Sequence, residues 1–184
     1  MCIRDRGMQD GFLRNERVKI PLPESLHKVE GLMRGLGMGK YADELVTTMN
    51  RAAETAVVEA KPLLVNAVKS MSLQDAKGIL TGGEDAATQY FKRSTSTALT
   101  DKFLPIVKTA TQKVKLADKY NEFAGKGAKL GLLDQKDADL NNYVTQKALD
   151  GLFLMIAEEE KKIRKDPVGS ASSIVSKVFG ALRK

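Results

Sequence analysis

The chain has 184 residues, of which 42% are hydrophobic and 5% aromatic, with no Trp and a formal net charge of +7. This length and composition suit one domain whose core is packed by Leu, Val, Ala and Met. Cys2 is the only cysteine, which excludes an internal disulfide. The longest uninterrupted apolar run, residues 151–157, is far shorter than the ~20 residues that a membrane-spanning helix needs.

The first nine residues differ in character from the rest of the chain. They contain no apolar run, and they do not continue the helical pattern of the residues that follow. We therefore interpret residues 1–9 as a non-native or disordered leader and residues 10–184 as a single all-helical domain. No secretion signal is visible in the sequence.

Helical periodicity runs through almost all of the remaining chain. Between the prolines and glycines, apolar residues recur with a period near 3.6, and no segment alternates convincingly as a strand does. The sequence therefore predicts an all-α fold, a compact multi-helix bundle. A first helix is expected to open at residues 21–23 and to end at the glycines of residues 35–39. A second is expected over residues 41–60, where alanines permit close contact between helices.

Two prolines suggest an internal repeat. Pro62 and Pro105 each precede an apolar pair, and each can open or kink a helix. With residues 62–82 aligned on residues 105–125, a spacing of 43 residues, Leu73 matches Leu116, Asp75 matches Asp118 and Gly82 matches Gly125. We hypothesise a weak helix-pair repeat with a break near Ser72 in its first copy, and chance agreement is the alternative.

Three more helices complete the prediction. One is expected from Glu84 to about Thr100, and a short one over residues 172–182. The strongest pattern lies in residues 139–167, where a capping Asp139 and a wide apolar stripe predict a long central helix. Its charged end, EEEKKIRK, is interpreted as solvated and laced with weak ion pairs. The expected inward positions of the helix that starts at Glu84 are Ala87, Tyr90, Phe91, Ser94 and Ala98, with Phe103 as a further candidate. The stripe of the long helix is Leu140, Val144, Ala148, Leu152, Met155 and Ile163.

Residues with common catalytic chemistry are scarce. His27 is the single histidine, whereas a di-iron bundle requires two. Zinc sites built from cysteine and histidine are excluded by the same shortage of ligands. No Gly-x-Ser-x-Gly elbow supports a hydrolase. Residues 81–83, Thr-Gly-Gly, could form an anion cradle, but Glu84 and Asp85 follow, which favours a plain junction between helices. The sequence therefore predicts no catalytic, metal-binding or cofactor-binding residue.

Several polar residues remain candidates for binding or interaction. Each also has a structural interpretation, because tyrosines at helical spacing usually belong to the core and runs of charge are usually solvated. The candidates are Tyr90, Lys92 and Arg93 on one helix, Tyr120 and Asn121 on another, and Glu158, Glu159 and Arg164 on the long helix.

Positive charge is concentrated in the middle of the chain. Residues 61–120 hold ten Lys or Arg against five Asp or Glu, whereas residues 1–60 hold nine of each. Most of these cations are single lysines at polar helical positions, without clustered Arg and aromatic residues. Nucleic acid is therefore disfavoured as a partner.

Five segments, in order, resemble a bacterial family catalogued as domain of unknown function 4197. They are DGFLRNERVKIPLPESL, SLQDAKGILTGGEDAATQYFKR, KFLPIV, KYNEFAGKGAKLGLLD and YVTQKALDGLFLMIAEEEKKIRKDP. The resemblance extends from about Gly11 to Gly180 and departs from the family at residues 169–172. Family members typically begin with an export signal, so the resemblance implies a periplasmic helical protein of a Gram-negative bacterium that here lacks its true N-terminus. It implies no activity and no catalytic residues.

Three hypotheses for function remain open. The first is a non-enzymatic envelope protein that binds an envelope protein or an apolar small molecule in a groove near the alanine-rich second helix. The second is an enzyme that acts on envelope material with carboxylates, lysines and tyrosines, and two carboxylates converging in a cleft would mark it. The third is association of the basic middle region with anionic lipid or nucleic acid.

Overall fold

The structure is a computed structural model and describes residues 10–24, 30–31, 34–37, 39–114, 118 and 139–167. Within these residues there is no strand, and the all-α prediction is confirmed. The predicted leader, the predicted final helix and His27 lie outside them. The helices with complete bounds are α1 Gly39–Val58, α2 Ala60–Lys69, α3 Leu73–Thr81, α4 Ala86–Thr111 and α5 Leu140–Lys165.

Helix α4 is the centre of the bundle, because it contacts each of the other four helices. Helices α1, α4 and α5 also contact one another pairwise, and their apolar faces enclose the core. The largest fully buried side chains on these three helices are Leu45, Met49, Leu99, Phe103, Val107, Leu140 and Val144.

The long helix predicted over residues 139–167 is confirmed as α5. The side chain of Asp139 accepts hydrogen bonds from the backbone N–H groups of Asn141 and Asn142, which satisfies two donors of the first turn. Three cations in the last turn face the negative end of the helix dipole. The predicted stripe is buried through Leu152, but Met155 is half-buried and Ile163 is exposed, so the core ends before the charged segment.

Helix α4 is longer than predicted. Instead of ending near Thr100 it continues to Thr111, with Pro105 in its interior. Pro105 lies on the exposed side, where the carbonyl that loses its N–H partner can bind solvent. The inward face also differs, because Ser94 and Ala98 are exposed. The residues buried instead are Thr88, Thr95 and Leu99.

The region of the first repeat copy has the predicted break between two helices. Helices α2 and α3 are separated at residues 70–72, and the side chains of Ser72 and Asp75 form a capping box that starts α3. Pro62 lies in the first turn of α2, whereas Pro105 lies inside α4, so the two prolines do not open equivalent helices. Of residues 115–125 only Asp118 is described. The repeat is not confirmed.

The segment of residues 10–23 packs against α1 and α5 without being a regular helix. Its side chains Phe12, Val18, Ile20 and Leu22 belong to the core. The amide of Asn50, fully buried on α1, pairs with both backbone groups of Ile20: the Ile20 N–H donates to Oδ1 at 2.8 Å, and Nδ2 donates to the Ile20 carbonyl at 2.9 Å. A buried non-helical residue thereby gains the partners that a helix would have supplied.

Gly151 lets this segment approach α5. A Cβ added at Gly151 would lie 2.7 Å from Cε1 and 3.0 Å from Cζ of the buried Phe12 ring. A side chain at this position therefore requires the core to shift. Gly78, on α3, is a contrasting case, because a Cβ there would meet nothing within 4 Å.

We expect Gly151→Ala to destabilise the protein by about 1–2 kcal/mol, since overpacking outweighs the gain in helix propensity. Gly78→Ala removes the same backbone freedom without a clash and should stabilise by roughly 0.5–1 kcal/mol. Urea unfolding of both variants measures the two free energies. Equal stabilisation by both substitutions would show that the Phe12 contact does not restrict Gly151.

Candidate functional site

An open groove of about 680 Å³ lies between α1 and the C-terminal part of α4. It runs along the alanine-rich helix α1, beside which the sequence predicts a groove. Its lining residues on α1 are Glu44, Thr47, Thr48, Arg51, Ala52 and Thr55; those on and just after α4 are Pro105, Ile106, Thr109, Ala110, Lys113 and Val114.

The groove combines aliphatic surface with hydroxyl groups. Three of its threonine hydroxyls donate to the carbonyl four residues earlier in their own helix: Thr47 to Asp43, Thr55 to Arg51, and Thr109 to Pro105. Their protons are therefore engaged, and the oxygen atoms remain available as acceptors. With Ala52, Ile106 and their aliphatic neighbours between them, these groups offer mainly shape and apolar contact.

Two cationic side chains reach the groove, and their partners differ. Arg51 is fixed: its Nη1 lies 2.7 Å from Oε2 of Glu54, and its Nη2 lies 2.8 Å from Oδ1 of Asp10. Lys113 is exposed and has no ion pair within the described part of the chain. The acidic residue in the lining is Glu44, which is also exposed. Among the described residues that line the groove, Lys113 is therefore the cation without an ion pair that a ligand would meet.

Glu54, directly behind Arg51, is a buried carboxylate with a structural role. Its Oε1 accepts the backbone N–H groups of Phe12 at 3.0 Å and Leu13 at 3.1 Å. Burial by itself raises the pKa of Glu54, but the Phe12 N–H, the Arg51 guanidinium and the Leu13 N–H outweigh it, and the pKa lies below its ordinary value. Glu54 is therefore ionised near neutral pH and holds the N-terminal segment on α1.

A second buried carboxylate, Glu160 on α5, caps the start of α4. Its oxygens accept the N–H of Ala87 at 2.9 Å, the N–H of Thr88 at 2.8 Å and the Thr88 hydroxyl at 2.7 Å. Asp85, the N-cap residue by position, makes no side-chain cap bond. The N-terminal amides of α4 are thus occupied by a side chain from another helix, which supports the plain helix junction predicted over an anion cradle there.

Arg164 completes this second cluster. It donates to Oε1 of Glu160 from Nε at 3.0 Å and from Nη2 at 2.8 Å, and Nη2 also donates to the carbonyl of Ile79 near the end of α3, at 2.8 Å. Burial raises the pKa of Glu160, but the Ala87 N–H, the Thr88 hydroxyl and Arg164 lower it below its ordinary value. The prediction that the EEEKKIRK segment is simply solvated is therefore wrong at Glu160.

The candidate residues that the structure describes do not line the groove. Tyr90 is buried and donates its hydroxyl to the Ala67 carbonyl at 2.8 Å. The ammonium of Lys92 lies 5.9 Å from the centroid of the Phe153 ring, and Arg93 is exposed on the same helix. Tyr120 and Asn121 lie outside the described residues.

The three candidates on α5 take part in ion pairs. Glu158 pairs with Arg17 of the N-terminal segment, Glu159 pairs with Lys162 at 2.9 Å, and Arg164 pairs with Glu160 as described above. None of these three residues lines the groove, and neither do Tyr90, Lys92 and Arg93. Glu158 and Arg164 connect elements of the fold.

The residues that shape the site were not singled out from the sequence. Glu54 did carry a signal, because it is a charged residue within a stripe of alanines and has Arg51 one turn before it. Glu160 carried none, since Glu158 and Glu159 beside it have the same local pattern. Groove residues such as Thr55 and Ala110 are of common types for polar or small helical positions, which gave no signal either.

The described residues offer little for metal or acid–base chemistry. Among them there is no group of three or more His, Cys, Asp or Glu residues that could hold a metal ion. The pKa values of Glu54 and Glu160 are both lowered, whereas a general acid near neutral pH needs a raised one. No helix in the part of the chain that the structure describes is long and apolar enough to span a membrane.

Comparison with known proteins identifies a family. A family model described as protein of unknown function (DUF4197) matches residues 2–180, nearly the whole chain. The match begins within the stretch that the sequence analysis separates as a leader. No curated protein and no solved structure matches the chain.

We expect Glu160→Gln to lower the free energy of unfolding by about 2–4 kcal/mol, because the amide places donors against buried N–H groups and leaves Arg164 without its anion. Denaturant unfolding near neutral pH measures this loss. Glu84→Gln is the control, since Glu84 pairs with Lys161 at 2.8 Å on the surface and its loss should change stability little. Similar effects of both substitutions would contradict the capping role.

The same carboxylates predict acid sensitivity. Because their folded-state pKa values lie below the unfolded value of roughly 4.3, they stabilise the fold above that pH, and this contribution is lost as pH falls through the folded values. The stability difference between the wild type and Glu54→Gln should therefore be largest near neutral pH and shrink as the pH falls below the unfolded pKa. Urea unfolding across this range measures the difference. A difference independent of pH would contradict the assignment of an ionised Glu54.

Proposed function

The chain belongs to the DUF4197 family of proteins of unknown function, and we propose that it is a non-enzymatic binding module. In this proposal its groove holds an elongated, mostly apolar small molecule with an acidic group. The groove between α1 and α4 is the observation that carries the proposal. Its volume of about 680 Å³ lies within the range typical of small-molecule sites. A location in the bacterial envelope, which the family resemblance implies, is part of the proposal.

The lining determines the class of ligand. Aliphatic side chains and the methyl groups of threonines and alanines suit an apolar body, and no aromatic ring among the lining residues favours a flat stacked ligand. Lys113, just after α4, offers a positive charge that has no ion pair within the described ranges of the chain. An acidic group on the ligand would pair with it, whereas Arg51 is already neutralised by Glu54 and Asp10.

The two buried carboxylates support binding over catalysis. Each is committed to backbone N–H groups and an arginine, and each has a lowered pKa. Neither lines the groove, where Glu44 is the acidic residue and is exposed. The pair of converging carboxylates that would favour the enzyme hypothesis therefore does not occur among the residues that line it.

The test fills the groove and leaves the fold intact. Ala110→Phe places a ring in the groove, and Ala98→Phe is the matched control, because Ala98 is exposed on the same helix and outside the lining. Binding of anilinonaphthalene sulfonate, an apolar molecule with an anionic group, is measured by fluorescence and by displacement with dodecanoate. We expect Ala110→Phe to weaken binding by at least about tenfold and Ala98→Phe to leave it unchanged.

A third variant tests the charge. Lys113→Gln should weaken binding of the sulfonate several-fold and leave binding of a neutral aliphatic alcohol unchanged. Native mass spectrometry with lipid extraction on the purified protein then identifies a natural ligand. Equal probe binding by the wild type, Ala110→Phe and Ala98→Phe would exclude the groove as the site.

A further inference from the structure

Helix α3 exposes its leucines. None of its nine residues is buried, and its half-buried side consists of Asp75, Ala76 and Ile79. Leu73 and Leu80, seven residues apart and therefore on one face, are 92% and 81% exposed. Core packing does not account for two leucines directed to solvent on so short a helix.

The preceding helix, α2, has the same character. Ala60 and Ala67 are buried on its inner side, whereas Val65 and Val68 are 42% and 52% exposed on its outer side. Only residues 70–72 separate the two helices, and both pack against α4. We call the exposed residues Val65, Val68, Leu73 and Leu80, with the lysines beside them, the α2–α3 face.

The charged residues beside these aliphatic side chains are lysines. Lys61 and Lys69 flank Val65 four residues away on either side along α2, and Lys77 lies between Leu73 and Leu80 on α3. All three lysines are exposed, and none is in an ion pair within the described part of the chain. Asp75 is the acidic residue of these two helices, and its carboxylate is engaged by the backbone and hydroxyl of Ser72.

We propose that the α2–α3 face docks on an anionic lipid surface, with its aliphatic side chains in the interface and its lysines at the headgroups. The groove described above takes no residue from α2 or α3, so this is a second surface. Protruding aliphatic side chains flanked by lysines are typical of helices that lie in the membrane interface. Nucleic acid would pair with the lysines but would leave Leu73 and Leu80 in water, and the face is therefore better matched to lipid.

The experiment measures sedimentation of the full chain with vesicles. We expect binding to vesicles of equal parts phosphatidylglycerol and phosphatidylcholine, much weaker binding to phosphatidylcholine alone, and weakening as salt rises. The double variant Leu73→Ser/Leu80→Ser should lower the partition coefficient by at least about tenfold. Lys69→Gln/Lys77→Gln should lower it by a similar factor on anionic vesicles and leave binding to neutral vesicles unchanged.

Matched controls separate the face from general charge and exposure. Leu36→Ser removes another leucine that is 68% exposed, and Lys102→Gln/Lys108→Gln removes two exposed lysines of α4. Both should bind anionic vesicles nearly as the wild type does. Ala110→Phe should also bind them normally, so that failure of the groove proposal and failure of this one can be told apart.

Four results would overturn the proposal. They are no binding of the wild type to anionic vesicles, binding unchanged by the α2–α3 substitutions, equal weakening by the control substitutions, and a dimer in sedimentation velocity that Leu73→Ser/Leu80→Ser dissociates. The last result would assign the face to a second copy of the chain. Circular dichroism of each variant confirms that the helices are retained, as expected for exposed positions.

Discussion

The carboxylate of Glu160 is the interaction on which the arrangement of the helices depends. It accepts the first-turn N–H groups of α4, the helix that contacts each of the other four helices with described bounds. Arg164 neutralises this carboxylate and continues to the carbonyl of Ile79, so one cluster fixes the start of α4, the end of α3 and the charged part of α5. An ion buried without such partners would cost several kcal/mol, and the cluster supplies donors to both oxygens. The position of α4 against α5 therefore follows from electrostatics as well as from apolar packing.

Side chains of helix α1 likewise bind backbone groups, here those of the non-helical segment that contains Phe12 and Ile20. The buried backbone groups of Phe12 and Ile20 cannot form helical hydrogen bonds, and the side chains of Glu54 and Asn50 replace those partners. Arg51 connects this arrangement to the groove, because it pairs with Glu54 on one side and lines the groove on the other. One wall of the groove is thus held by interactions that also fix the N-terminal segment, and a preformed wall reduces the entropy that a ligand must lose on binding.

The sequence predicted the helical class and the long C-terminal helix because both depend on local periodicity and caps, and the structure confirms them. It did not predict the role of Glu160, because three consecutive glutamates have the same local pattern. The packing of α5 against α4 decides which of them reaches the start of α4. The continuation of α4 through Pro105 depends on tertiary packing of Phe103 and Val107 on either side of the proline, which overrides its local preference. The alanines of α1 indicated a groove beside this helix. The other half of the lining comes from α4 and the residues after it, and the sequence pattern does not show that α4 lies opposite α1.

The consequence for function is that the buried carboxylates of the described structure, Glu54 and Glu160, hold the fold together. The carboxylates of Glu54 and Glu160, held by backbone amides and arginines, have lowered pKa values and do not line the groove, whose lining offers aliphatic groups, hydroxyl oxygens and the exposed Lys113. That set distinguishes ligands by shape, apolarity and negative charge. The groove and the α2–α3 face are on different helices, yet both match molecules that combine an apolar part with an anionic one. A protein that docks on an anionic lipid surface through the α2–α3 face and holds an amphiphile in the groove would meet its ligand where that ligand is concentrated. Helix α4 connects the two sites, because it lines the groove and also packs against α2 and α3.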